Sequence, residues 1–258
     1  MTAFREELWK KRELLVNFAI SDIKVRYKNS VLVILWSLLE PLLLLGVLYF
    51  VFSTMFKIEI PNFPIYLLLG IICWNFFRNG TSIALNSLTN RSGLMTQIYF
   101  PRVIPSLSAG ITSSITLIFE LIILGVFMAV FQFMPTSTII LLIPILALEL
   151  ILILGLALPL SVLNVKFKDT EFIWGVVISA GFFLTPIFYQ FNMLPDYIQN
   201  ILQFSPMVQI LTMSHHVVLY GVLPPINSIL CAILSISIIS IIGYAIFRKY
   251  QTRIVEEM

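Results

Sequence analysis

Four ionisable side chains, Glu40, Arg78, Glu120 and Glu149, interrupt otherwise apolar stretches of this sequence. A charge at the centre of a membrane helix costs roughly 2.5 to 3.5 kcal/mol on insertion scales, so each needs a partner, a cavity or the protein interior. The chemistry they could carry is a relay of protons or ions. Pairing with one another or with backbone is the structural alternative, and spacing alone leaves both open. Rise along the helices puts Glu120 and Glu149 near mid-depth and Arg78 closer to one surface. Glu40 precedes Pro41, whose missing backbone donor predicts a kink. Other reactive types are sparse. His215 and His216 are adjacent and diverge on a helix, whereas metal-binding histidines four apart converge. Cys73 and Cys231 fall in different apolar runs, so neither a disulfide nor a metal site follows. No Gly-x-x-x-x-Gly-Lys-Ser/Thr loop, Gly-x-Ser-x-Gly elbow or His-Glu-x-x-His pair occurs. The expectation is therefore no catalytic centre, no metal and no cofactor on this chain, with any nucleotide held by another subunit.

The elements that must position these residues are set by composition. With 59% hydrophobic and 11% charged residues among 258, a water-soluble domain could not hide the apolar side chains. Six apolar stretches, 31–56, 63–88, 103–133, 138–163, 172–191 and 226–247, are predicted to span a bilayer. The predicted fold class is thus an all-α integral membrane protein. It comprises an amphipathic cytoplasmic interface segment, 1–30, and one six-span membrane domain, 31–258. Of the 16 lysines and arginines, Arg78 lies within a span, Lys57 falls on one side and the other fourteen fall on the opposite side. That asymmetry predicts both termini in the cytoplasm. A cleaved leader is not expected, because charged and amphipathic residues precede the first apolar run.

Three connecting segments carry their own signals. Residues 4–28 alternate charge with bulky apolar groups. Glu6/Lys10 and Glu7/Lys11 are spaced to pair on a helix, and Leu8, Leu15 and Phe18 supply its apolar face. Such a helix suits either a membrane surface or an aqueous one. The connection 90–102 is compact and polar at its start. It is expected to form a short helix presenting Leu94, Met95 and Tyr99, flanked by Arg91 and Arg102. The segment 167–220 runs from a charged cluster through one apolar span into Pro195, then Ser205-Pro206, then a helical stretch that stops at Gly221. That last stretch is too short to cross a hydrocarbon core of about 30 Å. Two short non-crossing helices are therefore predicted over a pathway. Ile198, Ile201, Leu202, Met207, Ile210 and Leu211 should pack against the spans.

Several of these stretches together resemble the membrane subunits of type-2 ABC exporters for O-antigen, capsular polysaccharide or teichoic acid. Residues 22–27 (Asp-Ile-Lys-Val-Arg-Tyr), with Ser30, Leu32 and Trp36, are similar to the family's entry to its first span. Tyr99-Phe100-Pro101-Arg102 resembles its first cytoplasmic loop. Asn164 to Asp169 resembles the loop before the fifth span, Leu184 to Tyr189 the end of that span, and Ser205-Pro206-Met207 the start of the second outer helix. Val33 stands where glycine is usual, Lys168 where arginine is, Ser205 where asparagine is, and Thr96 and Gln97 where basic residues are frequent. Ser205 retains a capping hydroxyl. The resemblance implies a homodimer around a continuous channel in the cell membrane, with two ATPase subunits holding ATP and magnesium below it. Its substrate would be a lipid-linked polysaccharide, with membrane lipid around it and no nucleic acid among its partners. It implies that the first and fifth spans line the channel, where Trp36, Tyr49, Phe182, Phe183, Phe188 and Tyr189 could stack on sugar rings. It implies too that Arg91, Leu94, Met95, Tyr99 and Arg102 meet the ATPase, and that the outer helices narrow the exit. The alternatives are an exporter of drugs or lipids on the same architecture, or an enzyme acting on lipid-linked sugars. The scattered Glu40, Glu120 and Glu149 supply no obvious catalytic cluster for the latter.

Overall fold

The computed structural model describes residues 12–27, 31–56, 60–95 and 100–251. Leu8, the pairs Glu6/Lys10 and Glu7/Lys11, Lys57, Thr96, Gln97 and Tyr99 lie outside those residues, as do the side chains of Val33, Trp36 and Met95. No strand occurs among the described residues.

Helix α1 (Arg12–Tyr27) precedes α2 (Val31–Tyr49), which runs through Pro41 and widens into a π-helical end at Phe50–Met55. Helix α3 (Phe63–Leu85) starts from Asn62 in the left-handed conformation, with Pro64 in its first turn, where a missing donor is harmless. After a 3-10 turn at Thr89–Arg91 come α4 (Ser92–Met95), α5 (Val103–Val130) and α6 (Leu142–Lys166). Then follow α7 (Thr170–Leu184), α8 (Asp196–Leu202) and α9 (Pro206–His215), which continues as a π turn to Tyr220, and last α10 (Ile226–Tyr250). The end at Tyr220 is fixed by Gly221 at φ 63°, where a β-carbon would strike the Thr136 side chain. Ser205 takes the extended N-cap conformation, but its hydroxyl makes no capping bond, contrary to expectation; Pro206 starts the helix instead.

Among the described residues three helices are long and apolar enough to cross a membrane: Val103–Val130, Ser137–Lys166 and Ile226–Tyr250. Leu39–Met55 and Thr170–Leu184 are shorter apolar helices. The helix α3 has the length, but Asn75, Arg78 and Asn79 dilute its apolar run. It is the centre of the bundle, with 18 of its 23 residues buried, and α2, α5, α6, α7 and α9 pack around it. Close approach between the long helices depends on small residues, as is usual where lipid removes most of the hydrophobic drive for association. Gly155 on α6 meets Gly243 on α10, and a β-carbon on Gly243 would collide with the Gly155 carbonyl oxygen. A hydroxyl ladder, Ser87 to Ser106 at 3.4 Å and Ser106 to Ser161 at 3.0 Å, joins the end of α3 to α5 and α6.

Candidate functional site

At the basic end of the bundle, α1 lies against the start of α5. Phe18 meets Phe100 edge-on at 5.4 Å and packs with Ile104. Arg91 locks this contact. Its guanidinium donates to Asp22 at 2.5 Å, to the Phe18 carbonyl at 3.4 Å and to the Ser87 carbonyl at 3.3 Å, and it lies 4.6 Å from the Phe18 ring centroid. With 9% of its side chain exposed, Arg91 faces inward. Within the chain Arg91, expected at a partner contact, ties α1 to the turn before α4, while Leu94 is 44% exposed. Arg102 is half-buried. Sequence reasoning found both segments but missed the Asp22 link, since nothing local connects positions 69 residues apart. Beside this clamp a cavity of about 750 Å³ opens, lined by Asp22, Asn79, Asn86 and Arg91 together with Phe18 and Leu94.

One wall of the subunit is nearly bare. Of α7, only Ile178 is buried, whereas Phe172, Ile173 and Val176 are each more than 60% exposed. The helix is held by few contacts. Asn86 donates to Glu171 at 3.2 Å and accepts from Asn164 at 3.0 Å; Trp174 donates through Nε1 to the Thr81 hydroxyl at 3.2 Å; Gly181 rests on the Trp74 ring. The aromatic residues singled out for a channel divide. Tyr49 and Phe183 are exposed, and Phe182 meets Trp74 at 6.1 Å. Phe188 is buried and stacks on Phe52 at 4.6 Å, and the Tyr189 hydroxyl donates to the carbonyls of Phe183 and Leu184. These last two brace the end of α7 from inside. The exposed faces of Phe172, Ile173 and Val176 were not singled out from sequence, since plain apolar spans carry no signal for which face stays bare.

The charges within the apolar stretches also divide. Arg78 donates to Glu40 at 2.7 Å, joining α3 to α2. Glu120 and Glu149 are buried in the interior, on α5 and α6. Arg78→Ala should lower the yield of folded protein, because it strands Glu40, and Arg78→Ala/Glu40→Ala should recover part of it. Export by the single variant that is fully stable yet newly insensitive to the proton gradient would instead favour the relay.

At the opposite end, α9 is inserted into the bundle. Met207, Ile210 and Leu211 are buried and Ile198 and Leu202 half-buried. Ile201 departs from expectation: it is 70% exposed, on the outward side of α8. His215 stacks on Tyr66 with ring centroids 3.8 Å apart, and its Nε2–H donates to the Tyr66 carbonyl at 3.3 Å. The Tyr66 hydroxyl donates to the Tyr189 carbonyl at 2.7 Å and lies 3.3 Å from that of Pro186. Together these fasten the loop after α7 to α3 and α9. Burial pushes the His215 imidazole down to about 3. Because the unfolded chain binds this proton near 6.5, the stabilisation is complete above that pH and is lost progressively as pH falls. The thermal midpoint in nanodiscs should therefore drop between pH 7 and pH 5, and His215→Phe, which keeps the stack, should flatten that slope. Equal slopes would show that His215 does not set the acid sensitivity.

A helical membrane bundle with no nucleotide loop of its own, a clamped basic end and one bare wall defines a multi-pass membrane subunit. Residues 15–219 match the ABC-2 type transporter family, and the chain belongs to it. Among similar proteins, an O-antigen export system permease protein RfbA of Klebsiella pneumoniae is 30% identical over 247 residues, covering 95% of this chain and 94% of that protein. A second RfbA from the same species is 29% identical over the same length. The RfbA of Myxococcus xanthus is 27% identical over 235 residues, 90% of each chain.

Proposed function

We propose that this chain is the permease subunit of an ATP-driven exporter that moves a lipid-linked polysaccharide of the O-antigen class outward across the cell membrane. The observation that carries this reading is the near end-to-end similarity to O-antigen export permeases. The physical arrangement supports it. The chain works as a homodimer, with the bare wall of α7 and the neighbouring α2 turned towards the transported polymer. Separate ATPase subunits dock below, against α1 and the Arg91-anchored turn, and drive the cycle. The six apolar helices span, both termini are cytoplasmic, and α8 and α9 lie at the outer surface without crossing. Helix α9 with its π turn, 15 residues to Tyr220, rises only about 22 Å.

The test has two arms. The tagged chain should co-purify with a P-loop ATPase encoded beside it, and deletion of the chain should remove the surface polysaccharide while lipid-linked polymer accumulates inside. Surface polymer at the normal level in the deletion strain would refute the reading. Topology is tested separately. Single cysteines at Asn192 and Asn227 should react with an impermeant thiol reagent from outside intact cells, and one at Ser92 should not; labelling of Ser92 from outside would invert the assignment.

A further inference from the structure

Between the loop after α7 and the end of α9 lies a cavity of about 370 Å³, framed by Tyr66, Gln190, Asn192, Thr212, His216 and Tyr220. It falls at the small end of the range for small-molecule sites, about 300 to 1,000 Å³. No lysine, arginine, aspartate or glutamate lines it. The hydrogen-bonding roles of its polar groups follow from the contacts already made. His216 donates through Nδ1–H to the Thr212 carbonyl at 2.8 Å, which leaves its Nε2 for a ligand. Gln190 donates to the Tyr220 hydroxyl at 3.2 Å, which leaves the glutamine carbonyl to accept and the phenol hydrogen to donate. The Asn192 amide and the Thr212 hydroxyl make no hydrogen bond to another described residue. Aromatic surface comes from Tyr66, Phe191 and Tyr220. The Tyr66 ring is held in place by its own hydroxyl bonds and by the His215 stack.

We infer that this cavity binds one neutral sugar unit of a polysaccharide, apart from any contact along α2 and α7. A pyranose is rimmed by hydroxyls that both donate and accept and carries C–H faces suited to aromatic rings. The mixture of acceptors, donors and rings here meets both demands. A phosphate or carboxylate would find no lysine or arginine to pair with. An apolar lipid or drug would bury the Asn192 amide, the Thr212 hydroxyl and His216 Nε2 without partners, at about 1 to 3 kcal/mol for each group. A sugar held here bridges the loop after α7 to the end of α9, so it would retain an emerging chain between cycles of ATP hydrolysis. The inference rests on the permease reading for the origin of its ligand.

The full chain in lipid nanodiscs, prepared without sugar-based detergent, is titrated with the methyl glycosides of mannose, galactose, glucose and rhamnose and observed by saturation-transfer NMR. Transfer to the ring protons of at least one glycoside is expected. Gln190→Ala and Asn192→Ala lie at partly or fully exposed positions where the fold is not at stake. Each should weaken that binding by about tenfold, the worth of one good hydrogen bond. Thr212→Val tests the far side of the cavity without changing its volume. Absence of transfer from all four glycosides would overturn the inference. So would binding that all three variants leave unchanged, which would place the sugar elsewhere, or displacement of the glycoside by inorganic phosphate, which would make it a site for anions. The deletion strain reads the permease function independently: lost surface polymer with no glycoside binding would refute this site alone, and retained polymer would refute the permease reading alone.

Discussion

Arg91→Met should abolish the stimulation of ATP hydrolysis by this subunit while leaving the long helices assembled. Removing one partner of a buried ion pair costs about 3 to 5 kcal/mol. Asp22 keeps 26% of its side chain exposed, so solvent recovers part of that and the lower end of the range applies. At about 1.4 kcal/mol per factor of ten, a loss of about 3 kcal/mol raises the population with α1 detached by more than a hundredfold. Methionine keeps contact with the Phe18 ring and so isolates the charge from the packing. Hydrogen exchange over residues 12–27 should accelerate, with α3 and α5 unchanged, and coupled ATP hydrolysis should fall to the unstimulated rate. Asp22→Asn, which retains an acceptor for Arg91, should fall between the variant and the parent. Full protection of α1 together with normal stimulation in Arg91→Met would remove the clamp from the coupling route.

Gly243→Leu is expected to have the larger structural effect, because the obstacle at that position is backbone and not a flexible side chain. The added side chain must clear the Gly155 carbonyl and the Pro159 ring. Helices α6 and α10 would have to separate along the seam where α10 is joined to the rest of the subunit. Overpacking costs typically about 1 to 3 kcal/mol and more when backbone must move. Folded yield should fall several-fold, with α10 the first helix opened to protease. Gly175→Ala provides the control, since nothing lies within 4 Å of a β-carbon there. Equal yields from Gly243→Leu and Gly175→Ala would show that the seam is looser than its geometry.

Much of the architecture was legible because it follows from local physics. Hydropathy located the long helices, Pro206 and Gly221 bounded α9, and the shortness of α8 and α9 was evident from their length. What stayed hidden depends on long-range packing. The dominance of α3 was obscured by the polar Asn75, Arg78 and Asn79, which lower its hydropathy although most of the helix is buried. The orientation of Arg91 could not be read from a basic loop, because Asp22 becomes its partner only when α1 folds back onto α5. Phe188 and Phe183 are near in sequence and both aromatic, yet one stacks on Phe52 inside and the other is 65% exposed; a turn after Leu184 separates their fates. The outer cavity escaped notice for the same reason, since its walls come from three segments and its neutral amides and hydroxyls form no motif.

The bare face of α7 has a consequence for how such subunits diversify. Its two ends are pinned by Glu171, Trp174 and Gly181, but Phe172, Ile173 and Val176 support almost nothing within their own chain. Selection on those three positions is therefore freed from selection on folding, and their variation should follow the cargo, the second copy or the surrounding lipid. An exporter can then change what it carries by drift along one helix face, without passing through sequences that fail to fold. Transplanting that face alone between relatives should move substrate preference and leave stability nearly where it was.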